Sequence, residues 1–269
     1  MAKSNRGGKR NSTGSGSGGG STAPQMQVQP TQVTPPSPKD VANGNVLPKG
    51  GVPFDQFEKM TDDEKADVVL KALGVGLPMF LDNSDIQKLS YYTGMSEKPK
   101  VVSDSALDKM KGTEIFRTVN DAYDSSKDIG YTANDICKQI AYGDFTMYSD
   151  SGGSAHGRAI YFASNFCSSA GYGYGSKAVT MRAKITGGKT IKESTLTNMY
   201  KSALNRGDKL ATACSMASDS RSRVNMYGLA KGYDVKTSDY GDYVMVLNRR
   251  ALTVSSDFKK TNSLGSRWK

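Results

Sequence analysis

The first fifty residues constrain the fold most, because they cannot belong to it. Residues 1–50 are rich in Gly, Ser, Thr, Gln and Pro, with a glycine–serine run at 14–20 and prolines at 35, 36 and 38. Such a stretch has too little apolar surface to offset the entropy lost on ordering. It reads as a disordered arm, either a linker or a tether to nucleic acid or to an assembly surface. The arm carries Lys3, Arg6, Lys9, Arg10, Lys39 and Lys49 against Asp40, half of the net +10 of the 269-residue chain. The body that remains is only mildly basic, without the concentrated Lys/Arg face of a folded nucleic-acid reader.

The same arithmetic narrows the compartment and the chemistry. The basic N-terminal residues lead into the glycine–serine run instead of an apolar segment, so a cleaved export signal is not expected. The most apolar stretch, residues 68–81, is interrupted by Lys71, Gly74, Gly76 and Pro78, which excludes a membrane-spanning helix on sequence grounds. Cys137, Cys167 and Cys214 are odd in number and widely spaced, and His156 is the sole histidine. These residues suit free thiols better than a disulfide framework or a histidine-based metal site.

Beyond the arm, capping signals and periodicity divide the chain. Thr61 and Glu64 form a capping-box pattern ahead of Ala66, Val68, Val69, Leu70, Ala72 and Leu73, with Gly74 as the stop. Ser84 and Gln87 repeat the pattern before Ile86, Leu89, Tyr91 and Tyr92, and a short helix is expected over 106–110. Residues 51–112 therefore read as a helical N-terminal segment. From 113 the texture changes to α+β. Strands are expected over 113–119, 159–163, 178–185, 242–247 and 251–254, with the alternation of 178–185 marking a half-exposed strand. Helices are expected over 132–143, 164–170, 196–204 and 224–229. No internal repeat interrupts this order.

One segment carries chemistry. His156-Gly-Arg-Ala-Ile-Tyr161-Phe-Ala-Ser-Asn-Phe-Cys-Ser-Ser169-Ala-Gly-Tyr172 resembles the nicotinamide pocket of ADP-ribosyltransferases of the diphtheria-toxin and poly(ADP-ribose) polymerase branch. There Gly-x-Gly-Ile-Tyr-Phe-Ala opens a strand-to-helix unit and a second Tyr follows eleven residues later, the separation of Tyr161 and Tyr172. Ala159 stands where the pattern has its second Gly. The resemblance extends over roughly 113–254 through Ile115-Phe-Arg117-Thr118, which is similar to the first core strand, and through 230–252, which is similar to the last two strands of small bacterial and phage-encoded members.

The resemblance implies two packed, mostly antiparallel sheets enclosing an NAD cleft within residues 113–269. It implies NAD as substrate, with Tyr161 and Tyr172 stacking on the nicotinamide and Ser169 bonding its carboxamide. Gly157, Phe162 and Ala163 complete the pocket, and Arg117 with Thr118 meets the ribose and phosphates, a task guanidinium geometry suits. Asp242 falls where the family places its catalytic Glu, whose carboxylate stabilises the oxocarbenium-like ribose. No Glu follows Glu193. Asp is shorter by about 1 Å, a misplacement that costs on the order of 10²-fold in rate. Tyr240 replaces the Glu or Gln that arginine-modifying members carry two residues earlier, so an arginine target is not implied.

The implied activity is transfer of ADP-ribose to a macromolecular acceptor, a protein first, with nucleic acid left open and no membrane involved. NAD hydrolysis without an acceptor uses the same site. The competing reading is a catalytically silent derivative, a binding module or a structural component of a virion or prophage. The implied location is the host cytoplasm or a virion. His156 is left open between a ribose contact and a solvated loop residue.

Overall fold

A computed structural model describes residues 47–78, 81–95, 98–124, 129–144, 146, 148, 156–174 and 176–261. The expected disordered arm therefore lies, up to residue 46, outside the described residues. The described chain opens with helices α1 (Phe54–Lys59), α2 (Asp62–Leu73) and α3 (Asp85–Tyr92), then strand β1 (Lys100–Val102) and helix α4 (Asp104–Asp108). Strand β2 (Thr113–Val119), the paired strands β3 (Ala122–Asp124) and β4 (Ile129–Tyr131), helix α5 (Ala133–Tyr142), strand β5 (Ile160–Ala163) and helix α6 (Phe166–Ala170) follow. Next come β6 (Val179–Ile185), β7 (Thr190–Lys192) and the helices α7 (Glu193–Asn205), α8 (Lys209–Ser215) and α9 (Arg223–Ala230). Strands β8 (Val235–Thr237), β9 (Tyr243–Val246), β10 (Leu252–Ser255) and β11 (Lys259–Lys260) complete the α+β chain.

Local chemistry explains where the helices start. The capping box ahead of α2 is formed: the Glu64 amide donates to Thr61 Oγ1 at 3.3 Å and the Thr61 amide donates to Glu64 Oε2 at 2.8 Å. Thr132 and Asp135 do the same for α5. The box expected at Ser84 is not made. Instead the Ile86 amide donates to Ser222 Oγ at 3.2 Å, and Gln87 is fully buried with Oε1 accepting from the Tyr148 amide at 3.4 Å. Tertiary packing draws Gln87 inward, so a distant serine supplies the cap.

The sheet runs β1-β10-β6-β2-β5-β9-β8-β7, with β11 added beside β6. It is open and mixed, since β1 lies parallel to β10 and β7 parallel to β8, while the other pairings are antiparallel. The expectation of two packed sheets is corrected to a single sheet of nine strands, eight on this path and β11 beside β6, to which the small β3–β4 pair is additional. The path is nevertheless thin at one point. β2 pairs with β6 along its whole length but with β5 only at Phe116↔Ala163. Both halves still face a common core: Ile115, Met181 and Ala183 from one side join Phe162, Val244 and Val246 from the other, with Cys137 and Ile140 of α5 between them.

A second core lies on the other face of β5 and β9, where Met245 and Leu247 pack with Phe57, Val69, Leu196, Leu210 and Met226. Helices α2 and α3 therefore share a hydrophobic interior with α7, α8 and α9. Strand β6, expected to be half-exposed, is buried along nearly its whole length. Arg182 and Lys184 occupy its polar face, and the α4 region covers them: Arg182 binds Asp108 and Glu114, and Lys184 Nζ donates to the Met110 carbonyl at 2.7 Å.

Candidate active site

A cleft of about 670 Å3 opens beside the thin β2–β5 junction. This volume is within the ~300–1,000 Å3 usual for small-molecule sites. If the ladder continued past Phe116↔Ala163, Thr118 would stand opposite Tyr161. The strands part instead, and Arg117 Nη1 donates to the Tyr161 carbonyl at 2.7 Å, meeting a backbone acceptor on the side where β5 lacks a strand partner. Burial between β2 and α5 lowers the pKa of this guanidinium.

On the opposite face of β2, Thr118 joins a chain of hydroxyls. Its Oγ1 lies 2.9 Å from Ser169 Oγ and 2.8 Å from Thr180 Oγ1, and Thr180 Oγ1 lies 3.0 Å from Thr261 Oγ1. Ser169 is thereby fixed on α6, buried, at the floor of the cleft. Tyr172 follows one turn later at the rim, half-exposed. Asn120 pins its loop, donating to the Tyr172 carbonyl and accepting from the Tyr174 amide, each at 2.9 Å.

The aromatic rings form a row in which Tyr161 and Tyr172 do not touch. His156 sits 6.4 Å from Tyr161 and 5.6 Å from Tyr243, centroid to centroid, and Tyr243 meets Tyr172 edge-on at 6.4 Å. The Tyr172 hydroxyl donates to that of Tyr243 at 2.8 Å. This bond and partial burial push the Tyr172 phenol up to about 12. The Tyr161 hydroxyl donates to the Gly157 carbonyl, and burial, reinforced by the charge of Glu193, raises its pKa as well.

Gly157 adopts φ +80, and a Cβ there would lie 2.5 Å from the Arg221 carbonyl, so only glycine fits. It stands outside the cleft lining and acts through its bond to Tyr161.

Arg117, Thr118, Tyr161, Phe162, Ala163, Ser169 and Tyr172 all line this one cleft. Asp242 does not. It is exposed ahead of β9, with its carbonyl accepting from the Ser164 amide at 3.0 Å. Its neighbour Tyr243 occupies the cleft-facing position, and successive residues along an extended chain point to opposite sides. Among the described lining residues the carboxylate is Asp121, which accepts from the Ala133 amide at 2.9 Å and lies 3.5 Å from Lys177.

Sequence reasoning missed the charged group behind His156. Glu193, the first residue of α7, places Oε2 2.6 Å from His156 Nδ1 and Oε1 3.0 Å from Lys236 Nζ. Lys236 is 2% exposed, and burial lowers its pKa against the opposing pull of Glu193. The available signal was weak: Glu193 and Lys236 are far apart in sequence and meet only because β7 and β8 pair in parallel.

In comparisons with protein-family models, curated proteins and solved structures, the chain has no match. No described helix is long and apolar enough to cross a membrane.

Proposed function

We propose that the cleft binds NAD and that the protein transfers its ADP-ribosyl group to a macromolecular acceptor, with release of nicotinamide. One observation carries this reading. Seven residues singled out by the resemblance, from the two stretches 115–118 and 156–172, converge on one cleft of ligand size. Tyr161 and Tyr172 offer faces for a flat heteroaromatic, buried Ser169 offers a hydroxyl to its carboxamide, and Arg117 supplies the cation for the pyrophosphate. NAD would bring the activated bond between nicotinamide and ribose; the chain would orient it.

A second reading rests on Asp242. Cleavage of that bond develops positive charge on the ribose, which an adjacent carboxylate stabilises. With Asp242 exposed outside the lining, a silent NAD-binding or partner-binding derivative of the same fold is the alternative.

Calorimetry with NAD, followed by incubation of labelled NAD with lysate, separates the readings. Heat of binding together with covalent label supports transfer, and binding without label or nicotinamide release supports the silent form. No binding to folded protein at millimolar NAD overturns NAD binding in both readings and leaves the partner-binding derivative. Tyr161→Ala should weaken NAD binding by roughly 1–3 kcal/mol, the range of aromatic stacking platforms.

A further inference from the structure

Glu193 and Lys236 buttress His156 from behind, while the imidazole lines the cleft between Tyr161 and Tyr243. Nδ1 lies 2.6 Å from Glu193 Oε2, and the His156 carbonyl accepts from Lys236 Nζ at 2.5 Å and from Asn225 Nδ2 at 3.3 Å. Backbone and ring are thus both held. A carboxylate that accepts from Nδ1–H sets the tautomer, leaving Nε2 with a lone pair. No described residue hydrogen-bonds Nε2. The charged and titratable groups around the ring are Glu193 on α7, Lys236 on β8, Tyr161 on β5, Tyr243 on β9 and Asp239 in the loop ahead of β9. Asp239 also fixes the start of α7, accepting from the Ser194 amide at 3.2 Å and from its hydroxyl at 2.6 Å.

We propose that His156 is the catalytic proton acceptor for an oxygen nucleophile entering this cleft, with Glu193 as its positioning residue and Lys236 holding Glu193. The assignment rests on the ADP-ribosyl transfer reading and names the nucleophile class: a hydroxyl of the acceptor, or water.

In the reaction the C1′–N bond of NAD breaks, and its electron pair leaves with the nicotinamide nitrogen, which was positively charged and departs neutral. A lone pair of the nucleophile's oxygen forms the new C1′–O bond. The proton released from that oxygen passes to His156 Nε2 and then to solvent. A base is needed because a hydroxyl is weakly nucleophilic until its proton is taken, and a positioned base contributes ~10²–10⁴-fold.

The test uses the full chain, NAD in buffer for the water arm, and NAD with added methanol as the hydroxyl probe. His156→Gln should lower nicotinamide release by about 10²-fold or more at nearly unchanged NAD affinity, because this variant keeps the Glu193–Lys236 pair. Methyl ADP-ribose as product identifies a hydroxyl as a competent nucleophile, and free ADP-ribose identifies water.

Since His156 is the only histidine, its ring nitrogens can be observed by ¹⁵N NMR without assignment. Nδ1 should carry the hydrogen, and Glu193→Gln should shift the tautomer balance while lowering kcat more than KM. Release by His156→Gln within twofold of wild type, or a ring protonated at Nε2 and bare at Nδ1, overturns the assignment. Wild-type protein that fails to bind NAD, or binds it without releasing nicotinamide, sinks the transfer reading instead.

Discussion

Two buried cations, one in each half of the sheet, occupy equivalent-looking places and are treated in opposite ways. Arg182 on β6 is 7% exposed and lies among Asp104, Asp108 and Glu114. Burial opposes its charge, but the hydrogen-bonded carboxylates of Asp108 and Glu114 outweigh burial and raise its pKa. Lys236 on β8 is 2% exposed with Glu193 as its carboxylate, which it shares with His156, and here burial wins and lowers the pKa. The difference shows which cluster bears on the cleft. Surplus carboxylates lock Arg182 under α4, away from any ligand-sized opening. A single shared carboxylate leaves the Lys236 cluster finely balanced beside the cleft.

The largest expected effect breaks that asymmetry directly. Glu193→Ala strands Lys236 in the interior without a counter-charge and should cost about 3 kcal/mol in urea denaturation, as removing one partner of a buried pair does. Glu114→Ala leaves Arg182 with Asp104 and Asp108. Since Glu114 is itself 34% exposed, the loss should stay below about 1 kcal/mol. Equal losses at the two sites would erase the distinction.

The two clusters should also respond at opposite ends of the pH scale. Burial alone would raise the Asp104 carboxyl, but hydrogen bonds from Lys259 and Ser255, with the charges of Lys259 and Arg182, hold it below 3.8. Its contribution is therefore complete above pH 3.8 and is lost as pH falls through the lower folded value. Lys236, held below 10.5 when folded, binds fewer protons than in the unfolded chain, so its contribution rises with pH through the alkaline window. Asp104→Asn should flatten the acid limb of stability by about 1.5 kcal/mol, typical of a hydrogen bond to a charged group. Lys236→Met should remove the alkaline rise instead. An acid limb unchanged in Asp104→Asn would take the Arg182 cluster out of the pH response.

The contrast also explains what could be read from the sequence. Strands β2 and β6 announce themselves by alternation along the chain, and Thr61 and Thr132 mark α2 and α5 because their caps are local. Strands β1, β7 and β8 span three residues each, too few for a period, and they exist because partners already in the sheet accept them. Helix α8 had a usable signal that went unread, the Asp208 carboxylate accepting from the Ala211 amide at 2.9 Å. In the cleft, Arg117, Tyr161, Ser169 and Tyr172 were legible through a motif. His156, Tyr243, Glu193 and Lys236 meet through β5–β9–β8–β7 pairing, which no local pattern encodes. The polar positions on β6 looked solvent-facing because alternation reports two faces without saying what covers each.

The smallest effect sharpens the boundary between the Lys236 side and the open rim. Tyr161 and Tyr172 both have bonded hydroxyls, but Tyr161 donates to the carbonyl of Gly157, whose backbone geometry the packing of Arg221 and Asn225 enforces. Tyr172 donates to another phenol at the rim and is 47% exposed. Tyr161→Phe leaves the Gly157 carbonyl short of a donor in a half-buried place and should cost about 1 kcal/mol, the usual net value of one hydrogen bond. Tyr172→Phe should leave stability unchanged in the same denaturation experiment, because water can replace the lost partner at Tyr243. Neither change removes a ring face, so NAD affinity should hold in both if the tyrosines act by stacking. A loss of affinity in Tyr172→Phe equal to that in Tyr172→Ala would instead make the hydroxyl pair at the rim the recognising group and move the ligand toward Tyr243.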